Sequence, residues 1–246
     1  MIKIKLNNYD ENVDKLSNKI KTLVIDNQTS INILGQESKK NSVYNYQENL
    51  RMVREMRNKN NRDFLQDEIR NAPTFLDKII RTRKFLNPQS GCMLMQEIIL
   101  KDLEIGPPVD NESGDGEKSG INYEIKVSVH AVNSKINFVQ IRPHHNNHYY
   151  ILVAYNLLAD EIGRVHIFKV PANKLYELLP QYGGYAHGTR QSNGDITKEN
   201  IKKSCNEGTN HEYALRPEPN GKKTGKPYKL WRKLLEYEVI YNKDNF

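Results

Sequence analysis

The sequence predicts an α/β fold in which a mixed central β-sheet is flanked by helices. Apolar residues recur at helical spacing through the first hundred residues and again near the C-terminus. The middle of the chain instead alternates apolar and polar residues, or stays apolar for several residues, as strands do. Because both kinds of segment are interspersed along one chain, we expect helices to pack on the faces of a sheet.

Four helices are predicted before the sheet, over Asp10–Ile25, Tyr44–Arg70, Pro73–Leu86 and Ser90–Leu103. The second carries a row of arginines that suits the backbone of DNA. The alternative is that these arginines pair with acids along the same solvated helix. The fourth helix is strongly apolar, and Gln96 and Glu97 within it therefore require an explanation.

The predicted strands follow these helices. They cover Tyr123–Val129, Lys135–Arg142, His148–Leu157 and Arg164–Val170. The second and third are expected to form a hairpin, because the segment between them is rich in turn residues. Helices are then predicted over Pro171–Leu179 and Tyr228–Tyr237, and Trp231 is expected to anchor the last one in the core.

The chain of 246 residues is long enough to bury a sizeable core, and one catalytic domain is expected over residues 1–246. It divides into a helical part (1–105), a sheet core (106–180) and a basic C-terminal part (181–246). No run is apolar enough to span a membrane, and the charged first residues lack a signal-peptide core, which favours a cytoplasmic protein. Cys92 and Cys205 are too few for a disulfide scaffold or a zinc ribbon.

The net charge of +7 is distributed unevenly. Residues 97–124 hold eight acids and two lysines, a net charge of −6, whereas residues 198–233 hold ten bases and four acids, a net charge of +6. An acidic centre binds cations and basic flanks bind phosphates. The distribution therefore favours a metal-dependent enzyme that acts on a polyanion.

The acidic centre contains the candidate catalytic residues. Alternation in the strand points Glu124 and Lys126 to the same face. The preceding turn, rich in Gly, Ser and acids, is expected to return the chain so that Asp115 lies beside Glu124. Mg²⁺ prefers oxygen ligands and keeps several waters, so the two carboxylates and the backbone carbonyl of Ile125 would suffice to hold it beside a phosphate.

Lys126 has three possible roles in such a site. It can orient the attacking water, neutralise developing negative charge, or accept a proton from that water. A Glu-x-Lys pattern alone is weak, however, because any surface strand with alternating charges contains it. The alternative interpretation is therefore a solvated ion pair on an exposed strand.

Asp115 followed by Glu124-Ile125-Lys126 resembles the acid, spacer and Glu-x-Lys strand of PD-(D/E)xK nucleases, above all type II restriction endonucleases. The resemblance covers this segment and its flanks. It departs from the family pattern because Gly114, and not proline, precedes the acid. Pro107 and Pro108 lie just before Asp110 instead, which makes Asp110 a rival for the first carboxylate.

The resemblance implies a restriction-endonuclease-like core and a type II site-specific deoxyribonuclease. Such an enzyme hydrolyses double-stranded DNA with Mg²⁺ to leave 5′-phosphate and 3′-hydroxyl ends, often as a homodimer, alongside a methyltransferase that protects the same sites. It also implies that the helix before the catalytic strand offers a glutamate to the metal, and Glu97 matches that position. A structure-specific or repair nuclease of the same superfamily and a non-catalytic DNA-binding protein are the alternatives.

Two segments of the C-terminal part are candidates for DNA contact. Residues 182–195 are rich in glycine and carry Arg190, Gln191 and Asn193, side-chain types that read guanine and adenine edges in the major groove. Residues 218–229 form a lysine-rich loop that suits phosphates. Its candidate contacts are Lys222, Lys223 and Lys226. The alternatives are an ordinary polar connector and a solubilising hairpin tip.

The remaining candidates lie between the predicted strands. The histidines and asparagines of residues 144–148 invite comparison with zinc sites and His-Asn-His nucleases, but their crowding into one turn argues against both. Gln140 is a candidate for contact with a phosphate or a water near the site. It is equally consistent with a neutral surface residue.

Overall fold

A four-stranded sheet is the centre of the fold, and β2 and β4 are its inner strands. The computed structural model describes residues 62–131, 135–156, 163–186, 195–209 and 211–246. Its strands are β1 (Gly116–Lys118), β2 (Ile121–Ser128), β4 (Tyr149–Asn156) and β5 (Arg164–Pro171), in the order β1-β2-β4-β5. The β1–β2 and β4–β5 pairs are antiparallel and β2–β4 is parallel. The predicted mixed sheet is therefore confirmed.

Three helices precede the sheet among the described residues. They are α1 (Arg62–Arg70), α2 (Phe75–Phe85) and α3 (Pro88–Asp102). Thr74 and Asn87 cap α2 and α3, because their side-chain oxygens accept the backbone N–H of Asp77 and Ser90 at 3.0 and 2.9 Å. The two helices predicted over 73–86 and 90–103 are thus confirmed within three residues. The helix predicted over 10–25 and the first part of that over 44–70 lie outside the described residues.

The predicted hairpin of residues 135–157 is wrong. β3 (Phe138–Ile141) pairs with β7 (Tyr213–Leu215) in a second sheet of order β3-β7-β6, where β6 is Gly183–Tyr185. β4 pairs with β2 and β5 instead. From Tyr150 to Tyr155 it is at most 1% exposed, which is the pattern of a strand covered on both faces. An apolar strand of this kind lies inside a sheet and needs a paired strand on each side. A hairpin with β3 would have given β4 only one of these two partners.

The C-terminal part closes the core with three helices: α4 (Ala172–Tyr182), α5 (Lys198–Asn206) and α6 (Lys226–Leu234). The predicted helices over 171–179 and 228–237 correspond to α4 and to α6 with its 3₁₀ extension, Leu235–Tyr237. Trp231 is 5% exposed and meets the ring of Phe168 edge-on at 5.5 Å, which confirms its role as a core anchor. The residues from Asp63 to Phe246 form one compact unit.

The described helices include none that is both long and apolar enough to cross a membrane.

Phe168→Ala tests whether α6 belongs to the core of the sheet. Phe168 is fully buried against Trp231, so the variant should lose about 3–5 kcal/mol of unfolding free energy. Urea denaturation followed by circular dichroism measures the loss. Met93→Ala is the control, because Met93 is 62% exposed and its removal should change stability by less than about 0.5 kcal/mol. Equal stabilities of the two variants would show that α6 is not packed there.

Candidate active site

The residue just before β1 brings its carboxylate beside Glu124. β1 and β2 pair as antiparallel strands up to Gly116 and Tyr123, and the Asp115 N–H, just outside the last pair, donates to the Tyr123 carbonyl at 2.8 Å. The Asp115 carboxylate accepts the Ile125 N–H, and the nearby charge of Glu124 acts on it. The expected convergence of the two carboxylates is therefore observed.

Gly114 explains why the usual proline is absent before the acid. Its φ is +76°, a left-handed conformation that proline cannot adopt. A Cβ at this position would lie 2.6 Å from the Tyr123 carbonyl oxygen and 2.5 Å from Oδ1 of Asn147. Only glycine therefore lets the chain pass this close to β2 just before Asp115.

Glu124 and Lys126 form an ion pair inside the protein. The two residues are only 2% and 9% exposed, and Lys126 Nζ contacts Glu124 Oε1. A solvated ion pair on a surface strand is therefore ruled out. Burying two charges costs several kcal/mol each, and such a pair is weak support for a purely stabilising role.

The Asp115 carboxylate is held from two sides. Its Oδ2 accepts the Ile125 N–H at 2.7 Å and lies 3.5 Å from Gln96 Nε2. Burial raises the pKa of Asp115, and the neighbouring Glu124 carboxylate raises it further. A half-buried and a buried carboxylate thus lie near one lysine, and this excess of negative charge favours a bound cation.

Ile125 presents its backbone at an uncovered edge of β2. β1 ends opposite Tyr123 and does not pair with Ile125. The Ile125 N–H and carbonyl therefore form hydrogen bonds with side chains. The N–H binds Asp115, and the carbonyl accepts a hydrogen bond from Gln96 Nε2 at 2.8 Å. A carbonyl oxygen has two lone pairs, so this bond leaves one for the predicted metal contact.

Gln96, and not Glu97, is the residue of α3 that reaches the site. Glu97 lies on another face of the helix, where its side chain is 59% exposed and binds Arg70 through both oxygens at 3.0 Å. The resemblance did not point to Gln96. The sequence shows that Cys92 and Gln96 share a helix face, because they are four residues apart, and the structure shows that this face contacts β2, since Cys92 Sγ donates to the Val127 carbonyl.

Asp110 does not take the place of the first carboxylate. It is exposed, and its Oδ1 accepts the Ser113 hydroxyl and the Glu112 N–H, both at 2.8 Å. The Ser113 hydrogen bond and the Glu112 N–H hold the pKa of Asp110 below its ordinary value. Asp110 therefore fixes the turn, and Asp115 is the carboxylate that lies beside Glu124.

The loop of residues 142–148 covers the Glu124 side of β2. It is anchored by the Asn146 N–H, which donates to the Glu112 carbonyl at 2.7 Å, and by Arg142, which pairs with Glu212 at 2.7 Å. Its histidines have different environments. His148 Nδ1 accepts the Asn122 N–H at 3.0 Å, whereas His145 Nδ1 lies 3.9 Å from Glu124 Oε2.

A cleft of about 590 Å³ opens beside Lys126. Gln96, Lys126, Lys135 and Gln140 are among the residues that line it. Gln140 is on β3, which is not paired with β2, yet it shares the cleft with the lysine as predicted. The cleft thus reaches Lys126 and Gln96, whereas Asp115 and Glu124 are not among its lining residues.

The predicted DNA contacts are only partly described. Arg190, Gln191 and Asn193 lie outside the described residues. Lys222, Lys223 and Lys226 are exposed, where the chain turns into the first residue of α6. Their exposure is what contact with phosphates requires.

No protein-family model, no curated protein and no solved structure matches this chain.

The residues at the site fit Mg²⁺. Within the described ranges, no three His, Cys, Asp or Glu side chains converge closely enough to form a ready-made metal cage. Mg²⁺ does not require one, because it commonly binds through one or two carboxylates and retains water. Asp115, Glu124 and the Ile125 carbonyl supply oxygen ligands of this kind, and the unbalanced carboxylate supplies the charge.

Asp115→Asn should stabilise the metal-free protein at neutral pH. The pKa of Asp115 is raised in the folded chain, so ionisation of this group disfavours folding once the pH exceeds its unfolded value, about 3.9. The cost grows as the pH rises from there to the folded pKa and is constant above it. Asparagine removes the cost, and the variant should melt at a higher temperature at pH 7 in EDTA.

The difference in melting temperature between Asp115→Asn and the wild type should shrink as the pH falls toward 4, where the wild-type carboxyl group becomes protonated. Melting curves across this pH range measure it. If the melting temperatures of the two proteins differed by the same amount at every pH, ionisation of Asp115 would not destabilise the folded chain.

Proposed function

We propose that this protein is a Mg²⁺-dependent endonuclease that hydrolyses phosphodiester bonds of double-stranded DNA. The observation that carries the proposal is the buried convergence of Asp115, Glu124 and Lys126 on one face of a central strand. This arrangement costs folding free energy, and catalysis gives a reason for retaining it. The order of the residues, Asp115 before Glu124-Ile125-Lys126, is that of the PD-(D/E)xK resemblance.

Each residue has a defined role in this proposal. Asp115, Glu124 and the Ile125 carbonyl hold the metal ion. Bound Mg²⁺ supplies Lewis-acid polarisation of the phosphoryl oxygen and acidifies a water ligand. Gln96 is a positioning residue, because it holds the Ile125 carbonyl from α3 and lies beside the Asp115 carboxylate. Glu97 has no role in this site.

Lys126 is the proposed partner of the attacking water and the phosphate. It contacts Glu124 and also lines the cleft, which supports a position between the carboxylates and an incoming phosphodiester. There it can orient the water, neutralise charge that develops on the phosphate, or accept the proton of the water.

The charge distribution supports a nucleic-acid substrate. The cleft adds Lys135 and Gln140 beside Lys126, and the loop of Lys222, Lys223 and Lys226 offers exposed cations for phosphates further along a duplex. Base reading by Arg190, Gln191 and Asn193 stays a prediction.

We further propose a type II restriction enzyme with a restriction-endonuclease-like core that acts in the cytoplasm. It would cut at a short specific sequence to leave 5′-phosphate and 3′-hydroxyl ends, act as a homodimer, and be accompanied by a methyltransferase of the same specificity. A structure-specific nuclease would use the same catalytic residues. Burial of the Glu124–Lys126 pair weighs against a non-catalytic DNA-binding protein, in which those charges would be better solvated.

Asp115→Asn should abolish Mg²⁺-dependent cleavage of plasmid or phage DNA even though the variant is more stable than the wild type. Loss of activity in a stabilised protein cannot come from unfolding. Lys126→Gln should lower the cleavage rate about 10²–10⁴-fold. Agarose gels of products formed in Mg²⁺, with EDTA as the metal-free control, measure both effects.

Lys101→Ala and Glu199→Gln are the matched controls, because both residues are exposed and outside the site, and they should cleave as the wild type does. Discrete fragments would identify a sequence-specific enzyme. Cleavage confined to junctions or flaps would identify the structure-specific alternative. Intact DNA in every lane, on every duplex tested, would overturn the nuclease proposal in favour of a binding protein.

Replacing Lys222, Lys223 and Lys226 together by alanine should weaken DNA binding without changing the cleavage pattern. Each lysine that neutralises a phosphate contributes roughly 0.9 to the slope of log affinity against log salt, so the slope should fall by up to about 2.7. Fluorescence anisotropy in Ca²⁺ at several salt concentrations measures the slope. Triple replacement of Lys84, Lys101 and Lys174 controls for net charge, and an equal slope change there would contradict a specific role for the loop.

A further inference from the structure

The loop of residues 142–148 carries two buried acceptor atoms beside the catalytic carboxylates. His145 Nδ1 and Asn147 Oδ1 are both buried and find no hydrogen-bond partner among the described residues. Buried polar atoms are nearly always paired, so each exception calls for an explanation. Of the two, Asn147 Oδ1 lies against Gly114, whereas His145 Nδ1 lies near Glu124.

His145 is the more informative of the two. Its side chain is 11% exposed, and its Nδ1 lies 3.9 Å from Oε2 of Glu124, whose side chain is 3% exposed. That separation is longer than a hydrogen bond, about 2.7–3.2 Å. Lys126 contacts the other oxygen of Glu124, Oε1. His145 Nδ1 therefore lies near a carboxylate oxygen without bonding to it, and it has no hydrogen-bond partner among the described residues.

A cation between His145 Nδ1 and Glu124 Oε2 would bind both atoms at once. The neutral imidazole nitrogen and the carboxylate oxygen are each metal ligands, and the site already has more carboxylates than lysines. Resting on the proposed function, which assigns Glu124 to a cation site, we propose that His145 Nδ1 is a nitrogen ligand of the cation that Glu124 holds. The ligand set is then mixed oxygen and nitrogen.

The proposal has a consequence for metal choice. Carboxylate, carbonyl and water ligands suit Mg²⁺, whereas imidazole favours first-row transition metals such as Co²⁺ and Ni²⁺. The described side chains do not form a closed cage, so water completes the coordination and Mg²⁺ is still accepted. The site is therefore expected to bind Co²⁺ more tightly than Mg²⁺, and His145 is expected to account for the difference.

The neighbouring histidines provide controls. His144 contacts His145 edge-on, with ring centroids 4.7 Å apart, and has no contact with Glu124 among those the structure shows. His148 Nδ1 is occupied by the Asn122 N–H. His144→Gln therefore changes the same loop and the same chemistry without removing the proposed ligand.

The test is calorimetric titration of the full chain with CoCl₂ and, separately, MgCl₂ at pH 7.5 without DNA. His145→Gln should lower the Co²⁺ affinity at least about tenfold and change the Mg²⁺ affinity less than about threefold. His144→Gln should bind both metals as the wild type does. Asp115→Asn should weaken both, and melting curves confirm that each variant is folded.

Equal Co²⁺ affinity of wild type and His145→Gln would overturn this inference and identify His145 as an ordinary neighbour of Glu124. If Asp115→Asn still weakened Mg²⁺ binding in that case, the carboxylate site and the nuclease proposal would stand. If the wild type bound neither metal, His145 would have no ligand role, and the cleavage assay in Mg²⁺ would decide separately on the nuclease.

Discussion

Burial of the Glu124–Lys126 ion pair is the constraint on which the rest of the site depends. An inner strand of a mixed sheet normally carries apolar residues on both faces, and β2 places a glutamate, a lysine and Ser128 on one of them. The protein accommodates this polar face by covering it with the loop of residues 142–148 and leaving the cleft beside Lys126. Pairing and hydrogen bonding make the burial tolerable, and the remaining negative charge is what the proposed cation would balance.

Much of the scaffold could be predicted from the sequence, because helix and strand periodicities record which residues are buried. α2, α3 and α6 were predicted for this reason, as were β2, β4 and β5. The pairing of the strands could not be predicted in the same way. The sequence of residues 135–157 does not indicate that β3 pairs with β7, more than seventy residues later. A local hairpin was therefore expected, and this expectation was wrong. The short elements α5, β6 and β7 carry too few residues for a clear period.

The site shows the same division between local and long-range information. Alternation on β2 gives the shared face of Glu124 and Lys126, and a glycine-rich turn gives the return of Asp115. The choice between Gln96 and Glu97 depends on the rotation of α3 against the edge of β2, which a resemblance in one strand does not specify. His145 was dismissed with its neighbours as a crowded turn, because a sequence cannot show that one of them is turned toward Glu124, 21 residues upstream.

The crowding at Gly114 has a consequence for the order in which the site is completed. Proline would stiffen the turn before the acid by itself, but glycine is the least restricted residue and must be held by its surroundings. One of those surroundings is Asn147, in a segment that is translated more than thirty residues later. A growing chain that does not yet include the loop of residues 142–148 lacks the contact of Asn147 with Gly114. It also lacks the loop that covers Glu124. Asp115 and Glu124 therefore reach their final surroundings only when the loop of residues 142–148 is in place.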